Sequence, residues 1–256
     1  MTANDTSLRR IVADLRVAFG LLTRLPLPGG QSAPRGATSA WAWPLVGAGV
    51  GALAALGATL ALALGLTPGV AAALVLAVQA MVTGAMHEDG LADSADGLWG
   101  GWDKARRLEI MHDSRIGTYG VLALVLACLA RWSALSVVLA LGPQWAVLIA
   151  VGALSRVPMV VIAAALPNAR GSGLSQAVGR PDGPTAGLAL ALGLALSLVL
   201  VGAVPALAMA TLAGLACCGL VVVAWRRIGG QTGDILGASQ QLAELAALAV
   251  AAAALS

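Results

Sequence analysis

The sequence predicts an all-α fold: a polytopic membrane bundle of about seven spanning helices, preceded by an amphipathic helix at the membrane interface. Three observations predict it. Apolar residues make up 59% of the 256-residue chain and charged residues only 11%, against about 25% charged in soluble domains. That much Ala, Leu and Val exceeds what one soluble core can bury, whereas a bilayer solvates it. The apolar residues also fall in runs near the roughly 20 residues that cross a hydrocarbon core. Finally, the basic residues lie almost wholly in alternate connections between those runs, the distribution that positive-inside sorting produces.

Taken in order, Leu8, Ile11, Val12, Leu15, Phe19 and Leu22 recur at helical spacing with Arg9, Arg10 and Arg16 between them. That pattern predicts the interfacial helix. No cleavable leader is expected before it. The seven spans run roughly Trp43–Leu64, Gly69–Met86, Tyr119–Leu141, Trp145–Leu166, Ala186–Val204, Pro205–Trp225 and Gln240–Leu255. The second and seventh are short. The fifth and sixth form either a tight hairpin about Gly202–Pro205 or one miscounted span. With the N-terminus in the cytoplasm, thirteen of the fifteen basic residues fall on that side. They include Arg24 and Arg35, Lys104 to Arg115, Arg170, Arg180, Arg226 and Arg227. Trp41, Trp43, Trp145 and Trp225 sit near span ends, where indoles favour the interface. The chain is expected to be one integral membrane domain, 1–256. Residues 1–40 form a cytoplasmic or interfacial segment, and 87–118 a cytoplasmic acidic loop that carries the chemistry.

The net charge of +3, with one Tyr, one Phe and no aromatic-interleaved basic patch, excludes nucleic acid as an expected partner. Cys128, Cys217 and Cys218 lie in apolar runs without metal-ligand spacing and are expected to be inert thiols.

The chemistry is expected in the run His87-Glu88-Asp89-Gly90-Leu91-Ala92-Asp93-Ser94-Ala95-Asp96-Gly97. Asp89, Asp93 and Asp96 are spaced by four and then three, so on a continuing helix they share one face. Three anions so placed repel one another, and a divalent cation would relieve that. Oxygen ligands select Mg²⁺, Mn²⁺ or Ca²⁺ over zinc. Gly90 allows a close approach, and Gly97 is a candidate helix end. Further on, Glu109 and Asp113 would share a face of a short helix and supply a second carboxylate pair, or else form ordinary solvated ion pairs. Arg115 follows in Ser114-Arg115-Ile116-Gly117-Thr118. Three glycine-rich loops on the same side have phosphate-cradling character. They are Pro26–Gly30, Ala169-Arg170-Gly171-Ser172-Gly173 and Gly229-Gly230-Gln231-Thr232-Gly233-Asp234. His87 and His112 read as hydrogen-bonding partners or proton acceptors. Arg131 and Arg156 fall inside spans, where a charge needs a partner or a polar cavity. They are read either as ion-paired or as the cationic floor of a cavity for a phosphorylated substrate.

On these residues the chain resembles the cobalamin synthase family, the adenosylcobinamide-GDP ribazoletransferases. The resemblance is carried by Leu21-Leu22-Thr23-Arg24-Leu25-Pro26, His87–Gly97 (HEDGLADSADG), Glu109–Gly120 (EIMHDSRIGTYG) and Gly229–Ala238 (GGQTGDILGA). It implies a Mg²⁺-using enzyme of the bacterial cytoplasmic membrane. Such an enzyme joins adenosylcobinamide-GDP to α-ribazole or its 5′-phosphate and releases GMP. It further implies Glu88, Asp89, Asp93, Asp96 and Asp113 as catalytic candidates, with Asp89, Asp93 and Asp96 on the metal. Thr232 and Asp234 fall in the family's later motif. The expected roles are phosphate contacts from Arg115, Arg170, Arg131 and Arg156, with Thr232 and Asp234 beside the substrate and Asp113 or Glu88 as base. A looser likeness to CDP-alcohol phosphotransferases rests on Asp93-Ser94-Ala95-Asp96-Gly97. Trp99-Gly100-Gly101 replaces the Ala-Arg expected after it. A cation transporter is the remaining alternative, disfavoured because the acids cluster at one face. Oligomeric state is left open, because small-xxx-small spacings occur throughout the chain.

Overall fold

Long runs of Ala, Leu and Val with few helix breakers become helices, and the computed structural model describes them over residues 3–26 and 35–255. The order is α1 (Ala3–Leu22), a 3₁₀ turn (Ala37–Ala42), α2 (Trp43–Ala63), α3 (Pro68–Thr83), α4 (Met86–Gly100), α5 (Lys104–Ile110) and α6 (Thr118–Leu141). Then come α7 (Gln144–Ala165), α8 (Leu174–Val178), α9 (Gly183–Val201), α10 (Ala203–Ile228) and α11 (Gly233–Leu255). Among the described residues, six stretches are long and apolar enough to cross a membrane: α2 with its preceding turn, α6, α7, α9, α10 and α11. A seventh exists only if α3 and α4 count together, and these are bent by 91°. The chain is therefore a multi-pass membrane protein.

The second expected span differs from expectation in an instructive way. Gly84 and Ala85 both adopt left-handed backbone, at φ 67° and 55°, and break the helix there. The acidic run does not continue α3 but forms α4, turned out of the span. Gly97 does not end α4, which runs on to Gly100. Its missing side chain instead admits the Arg107 carbonyl and the Met111 side chain from the α5 segment. The seventh span begins at Gly233, seven residues before the expected Gln240. The fifth and sixth are a hairpin, turned at Gly202 with φ 83°.

At the centre are α7 and α11, each 78% buried over its apolar window, while α9 at the rim is 17% buried. A β-carbon at Gly47, Gly51 or Gly152 would run into backbone carbonyls of the facing helix. The backbones of α2 and α7 are thus in direct contact, the close packing that small residues permit in membranes. In α1, Ala18 and Leu22 dock on the bundle, while Leu8, Ile11 and Val12 stay exposed, as an interfacial helix requires. Asp14 is buried and accepts from Arg35 Nε at 2.6 Å and Trp41 Nε1 at 3.1 Å, which ties α1 to the segment before α2.

Candidate active site

The 91° turn places α4 across one end of the bundle, where it meets the first turns of α11. Gly90 and Gly237 make this crossing. A β-carbon on Gly90 would lie 2.8 Å from the Asp234 carbonyl and 3.1 Å from the Gly237 Cα. The close approach expected at Gly90 is therefore with α11, and it brings Asp89 and Asp93 beside Asp234. A cavity of about 590 Å³ opens there, lined by Glu88, Asp89, Asp93, His112, Asp113, Arg115, Arg170 and Asp234. Eight ionisable side chains from α4, the segment after α5, the loop before α8 and the start of α11 thus converge.

Charge is crowded in this cavity. Burial, then the neighbouring Asp89, Asp234 and Asp96, push the Asp93 carboxyl up to about 7. Arg170 donates from Nη2 to Asp234 Oδ2 at 2.9 Å, and Thr232 Oγ1 donates to the same oxygen at 3.1 Å. The two glycine-rich loops are zipped together by backbone, Ala169 N to Gln231 O at 2.8 Å and Gln231 N to Pro167 O at 2.9 Å. Asn168 Oδ1 accepts from the amides of Arg170 and Gly171, which holds the arginine over the cavity. Residues 27–30 of the third loop lie outside the described residues.

Asp113 and Arg115 line the cavity as an exposed pair, Arg115 Nη2 to Asp113 Oδ2 at 2.9 Å. The guanidinium holds the Asp113 carboxyl below its usual range and is itself raised. The second carboxylate pair does not form. The short helix α5 ends at Ile110, so Glu109 and Asp113 no longer share a face. Glu109 pairs with Arg106 at 2.8 Å on the exposed surface instead.

Asp96 stands apart from its expected companions. Its carboxylate accepts from Gly117 N at 2.7 Å and Gly120 N at 2.9 Å, satisfying free amides at the start of α6. Side chains at 117 or 120 would collide with those oxygens, which explains both glycines of the IGTYG segment. Asp89 and Asp93 line the cavity while Asp96 turns to the α6 amides, and among the described residues no three His, Cys, Asp or Glu side chains form a metal-ready group.

Arg131 and Arg156 are fully buried and do not line the cavity. Arg131 donates to Glu244 at 2.6 Å, Gln241 at 2.6 Å and Gln79 at 3.0 Å, with Glu88 Oε1 at 3.4 Å. Arg156 lies 3.4 Å from the other Glu244 oxygen, and Gln240 also donates to it. Of the two readings, the ion pair describes them, and Glu88 links the network to the cavity wall. Sequence reasoning missed Gln79, Gln240, Gln241 and Glu244. The signal available was the polar stripe 240, 241 and 244, one helical turn of α11 set against intramembrane arginines. His87 is buried with Nε2 unpartnered, while His112 lines the cavity.

Comparison with known proteins identifies the family. The chain matches the cobalamin-5-phosphate synthase family over residues 14–252. It is 45% identical to the adenosylcobinamide-GDP ribazoletransferase of Bradyrhizobium diazoefficiens, covering 99% of this chain and 98% of that one. The protein of the same name from Mesorhizobium japonicum is 43% identical, covering 97% and 96%, and that from Sinorhizobium medicae 41%, covering 95% and 97%. No solved structure matches. An all-helical membrane bundle with the acidic α4 motif at its end, similar to these relatives over nearly its whole length, belongs to the cobalamin-5-phosphate synthase family.

Proposed function

We propose that this chain is a membrane transferase that joins adenosylcobinamide-GDP to α-ribazole or its 5′-phosphate, with GMP as leaving group. The observation that carries the reading is the 590 Å³ cavity, where Asp89, Asp93 and Asp234 meet Arg115 and Arg170. A diphosphate needs both kinds of group: cations on its oxygens and carboxylates to recruit a metal.

The ribose hydroxyl oxygen attacks the phosphorus on the corrinoid side of the diphosphate. A new P–O bond forms as the anhydride bond to GMP breaks. Arg170, positioned by Asn168 and Asp234, grips the phosphate oxygens. Arg115, held by Asp113, lines the same cavity and adds positive charge beside the diphosphate. The hydroxyl proton goes to Glu88, which lines the cavity; its Oε2 is buried without a hydrogen bond, the acceptor atom left over while Oε1 is held by Arg131 and Gln241. Asp113, bonded to Arg115 and acidified by it, is the poorer acceptor. Asp96, spent on the α6 amides, supports the site from behind.

Mg²⁺ fits the carboxylates available. Such ions are commonly bound by one or two carboxylates plus substrate phosphates, so Asp89 and Asp93 would suffice without a three-ligand cage. When bound, the ion supplies charge neutralisation and Lewis acidity at the diphosphate. The basic connections at the α4 end support a cytoplasmic site in the inner membrane.

The test is GMP release and corrinoid product formation by the protein in detergent or liposomes, with Mg²⁺ or EDTA. We expect Mg²⁺-dependent turnover that falls roughly 100- to 1000-fold in Asp93→Asn. Unchanged turnover in that variant would sink the site assignment, and no product from folded protein would sink the reaction.

A further inference from the structure

A second cavity, of about 160 Å³, lies against the first. Among the described residues the two share three wall residues: Asp89, Arg170 and Asp234. They are two rooms on either side of one polar threshold, and their chemistry differs. The larger holds acids and arginines. The smaller is walled mainly by hydrocarbon, from α1, α2 and α7 as well as α11, including Leu22, Trp43, Met159, Ala163 and Leu236. Three nitrogens of its wall residues, Trp43 Nε1, His87 Nε2 and, at the threshold, Arg170 Nε, are buried without any hydrogen-bond partner. Trp43 is 3% exposed and His87 1%. Buried polar atoms are ordinarily paired, and an orphan calls for a partner not yet present.

We propose that this smaller cavity is the acceptor subsite, which takes the planar base of α-ribazole and leaves its ribose at the Asp89/Arg170/Asp234 threshold. The inference rests on the transferase reading above. Apolar walls suit a dimethylated benzimidazole, which buries hydrocarbon on most of its edge. Its one unsubstituted ring nitrogen is an acceptor, and Trp43 Nε1–H is a donor without an acceptor. The neutral imidazole of His87 can donate or accept one bond more. Guanine, the other base in the reaction, carries a carbonyl, an amino group and ring nitrogens around its edge. Apart from the threshold residues, the side chains here add only Ser172 and Ser175 to Trp43 and His87, and Ser175 is already bonded to Asn168 and Gln231, so most of that edge would stay unpaired and be penalised. The guanosine end therefore belongs to the larger, open cavity. With the base seated in the smaller one, the ribose hydroxyl projects across the threshold towards the diphosphate, the orientation an in-line attack requires.

The experiment compares Ala163→Leu, which fills the cavity, and Trp43→Phe, which removes the donor but keeps an aromatic wall. Steady-state KM is measured separately for α-ribazole and adenosylcobinamide-GDP on the full chain in liposomes. The expected result is a KM for α-ribazole raised about tenfold or more in Ala163→Leu, with that for adenosylcobinamide-GDP within about twofold. A riboside whose base lacks the ring acceptor should be poorer than α-ribazole with the wild type, and Trp43→Phe should narrow that difference. Direct binding of α-ribazole, followed by its own fluorescence, reads the subsite without turnover. Saturable binding to wild type that Ala163→Leu weakens supports the proposal even if the transferase reading fails. A raised KM for adenosylcobinamide-GDP alone would assign the cavity to guanosine instead. Unchanged constants in both variants, or α-ribazole binding that neither weakens, would overturn the proposal.

Discussion

Replacing Asp96 by asparagine distinguishes an architectural carboxylate from a metal ligand. In the structure both oxygens are occupied, by Gly117 N at 2.7 Å and Gly120 N at 2.9 Å. Asparagine offers one carbonyl oxygen, and its NH₂ would face the second amide donor to donor. One charge-assisted bond, worth about 1.5–3 kcal/mol, is lost, together with about 0.3–1 kcal/mol of interaction with the α6 N-terminus. The local cost is therefore about 2–4 kcal/mol, or roughly 30- to 700-fold in the opening equilibrium of that turn. Hydrogen exchange of the peptide spanning Gly117 to Val121, measured in EDTA, should accelerate by that factor. A metal-ligand role predicts something else. Without metal, removing one anion from beside Asp93 would leave exchange unchanged or slower, and the defect would appear only as a weaker response to Mg²⁺. That outcome would refute the capping argument.

Three further predictions follow from the same structure. Glu244→Gln leaves Arg131 and Arg156 without their shared counter-ion and should cost about 3–5 kcal/mol, read as lost yield of folded protein; adding Arg131→Met should recover part of it by restoring neutrality with Glu88. Gly90→Ala forces α4 away from Asp234 and Gly237 and should lower kcat roughly 100-fold while the protein still elutes as a folded species; full activity would show that the crossing is not required. Asp93 titrates near 7 in the fold against an ordinary 3.8, so the folded protein binds a proton that the unfolded chain has released; its stability without metal is full at low pH and declines as pH rises from about 4 through 7. If Mg²⁺ binds at Asp93 as proposed, it must expel that proton, so calorimetry should find affinity rising about tenfold per pH unit up to about 7 and levelling beyond.

How much of this was legible in the sequence varied with the kind of physics involved. Spans such as Trp43–Leu64 were plain because length and hydropathy suffice for them. The break before α4 was not: Gly84 is a common helix end, but nothing local marks Ala85 for φ 55°, a conformation imposed by packing. The first turns of α11, from Gly233 to Ser239, were obscured because they follow directly on a glycine-rich stretch that reads as a loop, and the buried arginine partners of Gln241 and Glu244 on α6 and α7 were not visible in the sequence. The acidic motif was legible as a site, since four acids in an acid-poor chain need a reason. Its division of labour was not. Asp93 faces the cavity and Asp96 the α6 amides, and helical spacing alone cannot say which neighbour each side chain meets. The likeness of Glu109 and Asp113 to a second pair failed because a helix that stops at Ile110 ends the periodicity on which the argument depended.

The seam between α2 and α7 bears on how such a chain can change over time. Ordinary cores drift by trading volume between neighbouring side chains, a larger residue here offset by a smaller one there. At Gly47, Gly51 and Gly152 there is no side chain to trade, because each faces the other helix's carbonyls. Any substitution there adds volume that no single neighbour can give back, so the two helices must keep their glycines together or separate together. Substitutions should then be tolerated best on outer helices such as α9 and α10, whose apolar windows are only 17% and 28% buried, and worst along the seam of α2 and α7.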